Sequence, residues 1–184
     1  MKHFIHALSD VQTKNIGEGT KIWQYVVVLA DAVIGKNCNI NANVFIENDV
    51  QIGNDVTVKS GVQLWDGIRI ADGAFIGPNA TFTNDQNPRS KQYPERFQVT
   101  TILKGASIGA NATIIGGNTI GKYAMVGAGA VITKSIGNYE LWLGNPARHT
   151  GYVSKNGKVL DKSLVDKESG DKYIFENDNL VKAV

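Results

Sequence analysis

Large apolar side chains recur every six residues along the first half of the chain, at Ile16, Ile22, Val28, Ile34, Ile40, Ile46, Ile52, Val58, Leu64, Ile70, Ile76 and Phe82. Two residues before most of them stands a small or β-branched residue, such as Ala32, Cys38, Val44, Val50, Val56, Val62, Ala74 or Ala80. Three residues after them come Asp31, Asn37, Asn43, Asp49, Asp55, Gly61, Gly67, Gly73 and Asn79, the residue types that tolerate left-handed backbone angles. A period of six matches neither a helix nor a long alternating strand. It predicts short parallel strands separated by corners, with three hexads closing an eighteen-residue triangular coil and coils stacking into a parallel β-helix. The register stops near Pro88 and resumes in a shifted frame at Ile102, Ile108, Ile114, Ile120, Val126 and Ile132.

Between the two blocks, residues 83–101 carry two prolines and many charged or amide side chains, a composition that cannot continue a buried coil. An excursion of that length from a compact domain is commonly functional. Eighteen-residue stacking makes Asn48, Asp66 and Asn84 one corner column and Glu47, Trp65 and Thr83 the adjacent outward column. A carboxylate, two amides and an indole are therefore expected to converge at the root of the loop. As a plain corner residue, Asn48 needs no further role. Asp66 is different, because Gly67 already supplies the turn.

The expected organisation is an N-terminal segment over 1–15, a β-helix over 16–137 interrupted by the loop 83–101, and a cap with a small β appendage over 138–184. Asn156-Gly157 between Val153 and Val159 predicts a hairpin turn, and Glu176-Asn177-Asp178 predicts a second. The formal net charge of +2 over 184 residues argues for neither nucleic acid nor an anionic membrane as partner. No apolar run reaches membrane-spanning length, and the start Met1-Lys2-His3-Phe4 lacks a secretory core, so a cytoplasmic protein is expected. Cys38, the single cysteine, sits at an inward repeat position and reads as a small core hydrophobe.

The dipeptides Ile34-Gly35, Ile52-Gly53, Ile76-Gly77, Ile108-Gly109 and Ile120-Gly121 resemble the hexapeptide-repeat acyltransferases, which implies a left-handed parallel β-helix, against the usual right-handed crossover preference. The runs Ser60 to Gly67, Phe75 to Asp85, Pro88-Arg89-Ser90 and Lys104 to Ile114 are similar to those of the nucleotide-sugar 3-N-acetyltransferases. The resemblance covers about Ile16 to Arg148. It implies acetyl transfer from acetyl-CoA to the C3 amine of a dTDP-3-amino-3,6-dideoxyhexose in O-antigen or S-layer glycan biosynthesis. A UDP-linked 3-amino uronic acid is the alternative substrate, and a non-catalytic β-helix scaffold is the alternative of another class.

The same resemblance implies a homotrimer with active sites between adjacent prisms. Asp66, placed to orient and partly deprotonate the sugar ammonium, and Asn84, placed to fix the amine beside the thioester, are the expected catalytic residues. Glu47, Trp65, Asp85, Arg89, Lys91 and Tyr93 are expected on the nucleotide sugar, with Arg and Lys suited to a pyrophosphate and Tyr to stacking. Ala110, Gly127, Ala128 and Lys134 are expected along the CoA arm, with Asn145, Pro146 and Arg148 closing over its end. The three histidines, His3, His6 and His149, lie outside the coils and the loop, which excludes a coil-borne histidine base. It also disfavours a metal centre, so none is expected.

Overall fold

The computed structural model describes residues 2–183, which form an all-β chain without a helix. Each coil contributes one short strand to each of three faces. The first face stacks Phe4–Ile5, Lys21–Ile22, Asn39–Ile40, Thr57–Val58, Phe75–Ile76, Ser107–Ile108, Met125–Val126 and Glu140–Gly144. The second carries Asp10–Val11, Val27–Val28, Phe45–Ile46 and Gln63–Leu64, then Thr81–Phe82, Thr113–Ile114 and Val131–Ile132. The third carries Val33–Ile34, Gln51–Ile52, Ile68–Ile70, Thr100–Ile102 and Thr119–Ile120. Pairing within the faces is parallel, as expected from a chain that returns to the same side once per turn.

Partners on the first face, Lys21, Asn39, Thr57 and Phe75, are each eighteen residues apart. At the loop the spacing becomes 32 on all three faces, in Arg69 with Thr101, Phe75 with Ser107 and Thr81 with Thr113. The difference, 32 − 18 = 14 residues, leaves the stack and returns to the same edge. Ladders also reach below the hexad register. Phe4–Ile5 pairs with Lys21–Ile22 and Asp10–Val11 with Val27–Val28, so residues assigned to an N-terminal segment already form a coil. That first step is seventeen residues, Phe4 to Lys21, which is why the six-residue period does not extend to it.

The inward columns are the core. Ile22, Ile40, Val58, Ile76, Ile108 and Val126 stack on the first face with essentially no exposure, and the small partners Cys38, Val56, Ala74, Ala106 and Ala124 fill the adjacent column. Burial raises the Cys38 thiol pKa, in keeping with an inert core residue. Trp142 continues the first column above Val126 and closes the top of the prism. Glu140–Gly144 then folds back antiparallel on Ala147–Val153, which pairs with Val159–Leu160 across the Asn156-Gly157 turn. Tyr173–Glu176 and Asn179–Lys182 form the second hairpin, turning at Asn177 and Asp178 with φ of 47° and 62°. Both expected hairpins are present. Tyr139, Leu160 and Leu180 form the small core of this appendage.

The three edges of the prism are not equivalent. Left-handed residues climb the edge between the third and first faces at Asn37, Asp55, Gly73, Gly105, Tyr123 and Tyr139, and the edge between the first and second at Tyr25, Asn43, Gly61, Asn79, Asn111 and Gly129. The edge between the second and third faces departs from the expected uniform corners. Asp31 and Asp49 are not left-handed there, and only Gly67 and Gly117 are, with φ of 91° and 84°. The physical reason is a change of hydrogen-bond acceptor. The Asp31 N–H donates to Asn48 Oδ1 at 3.2 Å and the Asp49 N–H to Asp66 Oδ1 at 2.7 Å, each a side chain in the coil above. At the regular corners that N–H meets a backbone carbonyl, as Asp55 does at Lys36 (2.8 Å), and the side chain above captures the preceding amide instead, Asn54 N–H donating to Asp72 Oδ1 at 2.6 Å.

Candidate active site

That irregular edge carries the residues singled out by eighteen-residue stacking. Asp66 N–H donates to Glu47 Oε2 at 2.7 Å, and Asn84 Nδ2 donates to the Asp66 carbonyl at 3.2 Å. One oxygen of each carboxylate is thus held by a backbone N–H, Asp66 Oδ1 by Asp49 and Glu47 Oε2 by Asp66. With Asn84 Nδ2 committed, the Asn84 Oδ1 is left as an acceptor. Burial, ahead of the neighbouring Asp66 charge, raises the Glu47 pKa, while the Asp66 N–H acts in the opposite sense. Trp65 leans on Phe45, ring centroids 5.6 Å apart, and forms an apolar wall beside the carboxylates. Arg69 does not approach them, because its guanidinium is held by Asp49 through Nη2 to Oδ1 at 2.6 Å.

The second face opens at this level. Gln63–Leu64 ends one ladder and Thr81–Phe82 begins another, with no ladder joining them among the described residues. The loop grows from this break, and glycine makes its footing possible. A Cβ on Gly67 would stand 2.6 Å from the Gln98 carbonyl, and one on Gly117 would stand 2.6 Å from Gln98 Oε1. Both positions also have φ values that other residues resist. The stems close through Gln98 N–H to the Asn84 carbonyl at 2.9 Å and Thr100 N–H to the Gly67 carbonyl at 3.1 Å.

Inside the loop lies a hollow of about 310 Å³ whose lining includes Asn84, Asp85, Tyr93, Arg96 and Gln98. Asp85 and Tyr93 were expected on the nucleotide sugar, and both border this hollow. Arg89 and Lys91 do not. They occupy a tight turn in which Gln92 N–H returns to the Arg89 carbonyl at 3.1 Å and Lys91 is left-handed with φ of 62°. Arg96 and Gln98 were not legible as lining residues. The available signal was Gly116-Gly117, which stands 32 residues after Asn84-Asp85, one coil above the root of the loop.

Most of the residues expected along CoA lie elsewhere, but Lys134 stands two coils above Asn84 on the same edge. Ala110 and Ala128 stack on the edge between the first and second faces, where Gly129 N–H donates to the Ala110 carbonyl at 2.8 Å. Gly127 faces outward on the first face, but Leu143 packs over it and removes it from solvent contact on that side. Lys134 sits at the top of the prism with Nζ 5.3 Å from the centre of the Trp142 ring. Asn145, Pro146 and Arg148 are exposed around the tip of the hairpin that follows Trp142, Asn145-Pro146 being a cis peptide. His149 belongs to the cap, against Trp142 and Tyr152, with its Nε2 buried and unpartnered among the described residues. No cluster of metal-ligating side chains occurs among the described residues, and no described helix is long and apolar enough to cross a membrane.

Residues 13–48 and 49–84 match the bacterial transferase hexapeptide family, and residues 32–65 and 100–134 match the hexapeptide repeat of succinyl-transferase. With stacked parallel coils built on those repeats, the protein is a hexapeptide-repeat transferase by class. A dTDP-3-amino-3,6-dideoxy-α-D-galactopyranose 3-N-acetyltransferase of Aneurinibacillus thermoaerophilus is 59% identical over 165 residues, covering 88% of this chain and 86% of that protein. The chain belongs to that family of sugar N-acetyltransferases. The bifunctional protein GlmU of Thermotoga maritima is 30% identical over 83% of this chain but only 24% of its own length. A mutant of AntD, an N-acyltransferase of Bacillus cereus crystallised with dTDP and coenzyme A, superposes with a TM-score of 0.59. It covers 80% of this chain and 79% of AntD at 18% identity, a likeness of fold alone.

Proposed function

We propose that the chain transfers the acetyl group of acetyl-CoA to the C3 amine of a dTDP-3-amino-3,6-dideoxyhexose, with the galacto sugar favoured by the 59% identical relative. The observation that carries the reading is the convergence of Glu47, Asp66 and Asn84 at the root of the loop, where two carboxylates and a free amide oxygen can receive an ammonium group. Asn84 Oδ1 and a free carboxylate oxygen accept the N–H donors of the amine and turn its lone pair toward the thioester carbonyl. The carboxylate takes the proton that frees that lone pair.

Attack on the thioester forms the C–N bond and an oxyanion, for which a backbone N–H of the upper coils is the candidate donor. Collapse breaks the C–S bond. The departing thiolate takes up one of the two protons left on the attacking nitrogen, so the products are a secondary amide that keeps the other and CoA thiol. Positioning supplies several kcal/mol of the barrier and outweighs the roughly 10²- to 10⁴-fold contribution typical of general base catalysis.

The placement of the edges supports an assembly of several copies. The Asp66 edge and the Ala110–Ala128 edge are separated by the whole second face, roughly 20 Å for six residues of extended chain. A neighbouring copy whose Asp66 edge packs against the Ala110–Ala128 edge brings the two together, which supports a homotrimer with sites between subunits. The acetylated nucleotide sugar would serve O-antigen or S-layer glycan biosynthesis in the cytoplasm.

The test is CoA thiol release on mixing the protein with acetyl-CoA and dTDP-3-amino-3,6-dideoxygalactose. Asp66→Asn and Asn84→Ala are each expected to lower kcat/KM by about 10² or more. Near-wild-type values for both would remove this edge from the chemistry.

A further inference from the structure

We infer that Arg96 binds the diphosphate of the nucleotide substrate inside the hollow enclosed by the loop. The inference rests on the proposed nucleotide-sugar reading and adds to it a residue and a direction. Arg96, Arg89 and Lys91 are the cations of the 83–101 excursion, and only Arg96 lines the hollow. Arg89 turns its Nη1 back to the Pro88 carbonyl at 2.9 Å, and Lys91 sits with it in the exposed turn outside the hollow.

Arg96 has no ion-pair partner among the described residues. The one carboxylate lining the same hollow, Asp85, has its Oδ1 occupied by the Asn87 N–H at 2.9 Å. A planar guanidinium with unused donors, facing a pocket rather than a neighbour, matches the paired oxygens of a phosphate. Asn84 links this pocket to the amine site, since it lines the hollow and also bonds the Asp66 carbonyl at 3.2 Å. A substrate anchored at Arg96 therefore presents its sugar at the Asp66 end. Tyr93, 81% exposed on the rim, supplies the aromatic surface for the base beyond the phosphates.

The probe is dTDP alone, titrated calorimetrically into wild type and Arg96→Ala, together with steady-state kinetics on the amino sugar nucleotide. Arg96→Ala is expected to weaken dTDP binding and to raise the KM for the nucleotide sugar by about tenfold or more, the loss of one charge-assisted contact. The KM for acetyl-CoA and kcat should stay within about twofold, and Arg96→Lys should recover part of the affinity, since it keeps the charge without the fork. Equal dTDP affinity in wild type and Arg96→Ala overturns the inference. So does a fall in kcat with unchanged nucleotide affinity, which would mark Arg96 as a support for the loop. Absence of dTDP binding by the wild type overturns the nucleotide-sugar reading itself, together with this extension of it.

Discussion

Two kinds of edge run up the same prism. Along the edges flanking the first face, corners are left-handed, and each corner amide ends on a backbone carbonyl of the coil below, as at Asn37, Asp55 and Asn43. On the edge between the third and first faces the amide one residue earlier is also taken by a side-chain oxygen of the coil above, Lys36 N–H by Asn54 Oδ1 and Asn54 N–H by Asp72 Oδ1. Along the edge between the second and third faces, side-chain oxygens of Asn48 and Asp66 replace the carbonyl, and the carboxylates crowd together. The difference teaches that the fold itself fixes Asp66: one oxygen takes an amide of the coil beneath, and the other is the one that the proposed mechanism offers to the amine.

The largest expected effect comes from forcing a side chain into the footing of the loop. Gly67→Ala adds a methyl group against the Gln98 carbonyl at a φ of 91°. A non-glycine residue there costs roughly 1–2 kcal/mol, or roughly 2–8 °C in Tm for a chain of this size. Because the displaced stem carries Asn84 with it, kcat/KM should fall by about 100-fold, read in the thiol-release assay.

The regular edges should behave in the opposite way. Asp55→Ala, at a left-handed corner with φ of 57° remote from the loop, is expected to lower Tm by roughly 2–4 °C and to leave kcat/KM within about twofold. If it reduced turnover as strongly as Gly67→Ala, the two kinds of edge would not be functionally distinct.

A smaller effect is expected away from both, in the appendage. There Asp166 accepts Ser169 Oγ–H at 2.8 Å, Glu168 N–H at 3.0 Å and Lys158 Nζ at 3.1 Å, which together lower its pKa to about 2. A depressed carboxylate stabilises the folded form fully above the ordinary carboxylate range, and that stability is lost as pH falls toward about 2. Hydrogen exchange should therefore show residues 159–183 loosening in acid before the coils do. Asp166→Asn should reduce that pH dependence, leaving the part due to Asp171, whose pKa is lowered chiefly by its hydrogen bond with Lys182.

The hexads were readable because every coil repeats the same demand. Each large apolar position from Ile22 to Ile132 is buried, and adding eighteen to Asn48 and Asp66 locates the column that ends in Asn84. What resisted reading has no period. The first coil closes in seventeen residues, Leu143 reaches Gly127 from an antiparallel return, and Arg96 lines the hollow through a fold of the loop that occurs once. Asp31 and Asp49 misled for a different reason. Their residue type suits a left-handed corner, but their own amides are the ones taken by a side chain one coil higher, whereas at left-handed Asn37 and Asp55 it is the preceding amide.

The fourteen residues that leave the stack rejoin it without shifting a single rung, because all three faces step by the same 32. The core consequently has no record of how long the excursion is. With the nucleotide held as proposed, lengthening or trimming the excursion is expected to alter which sugar nucleotide is welcomed with little change in melting temperature, leaving substrate choice free to drift on an indifferent frame.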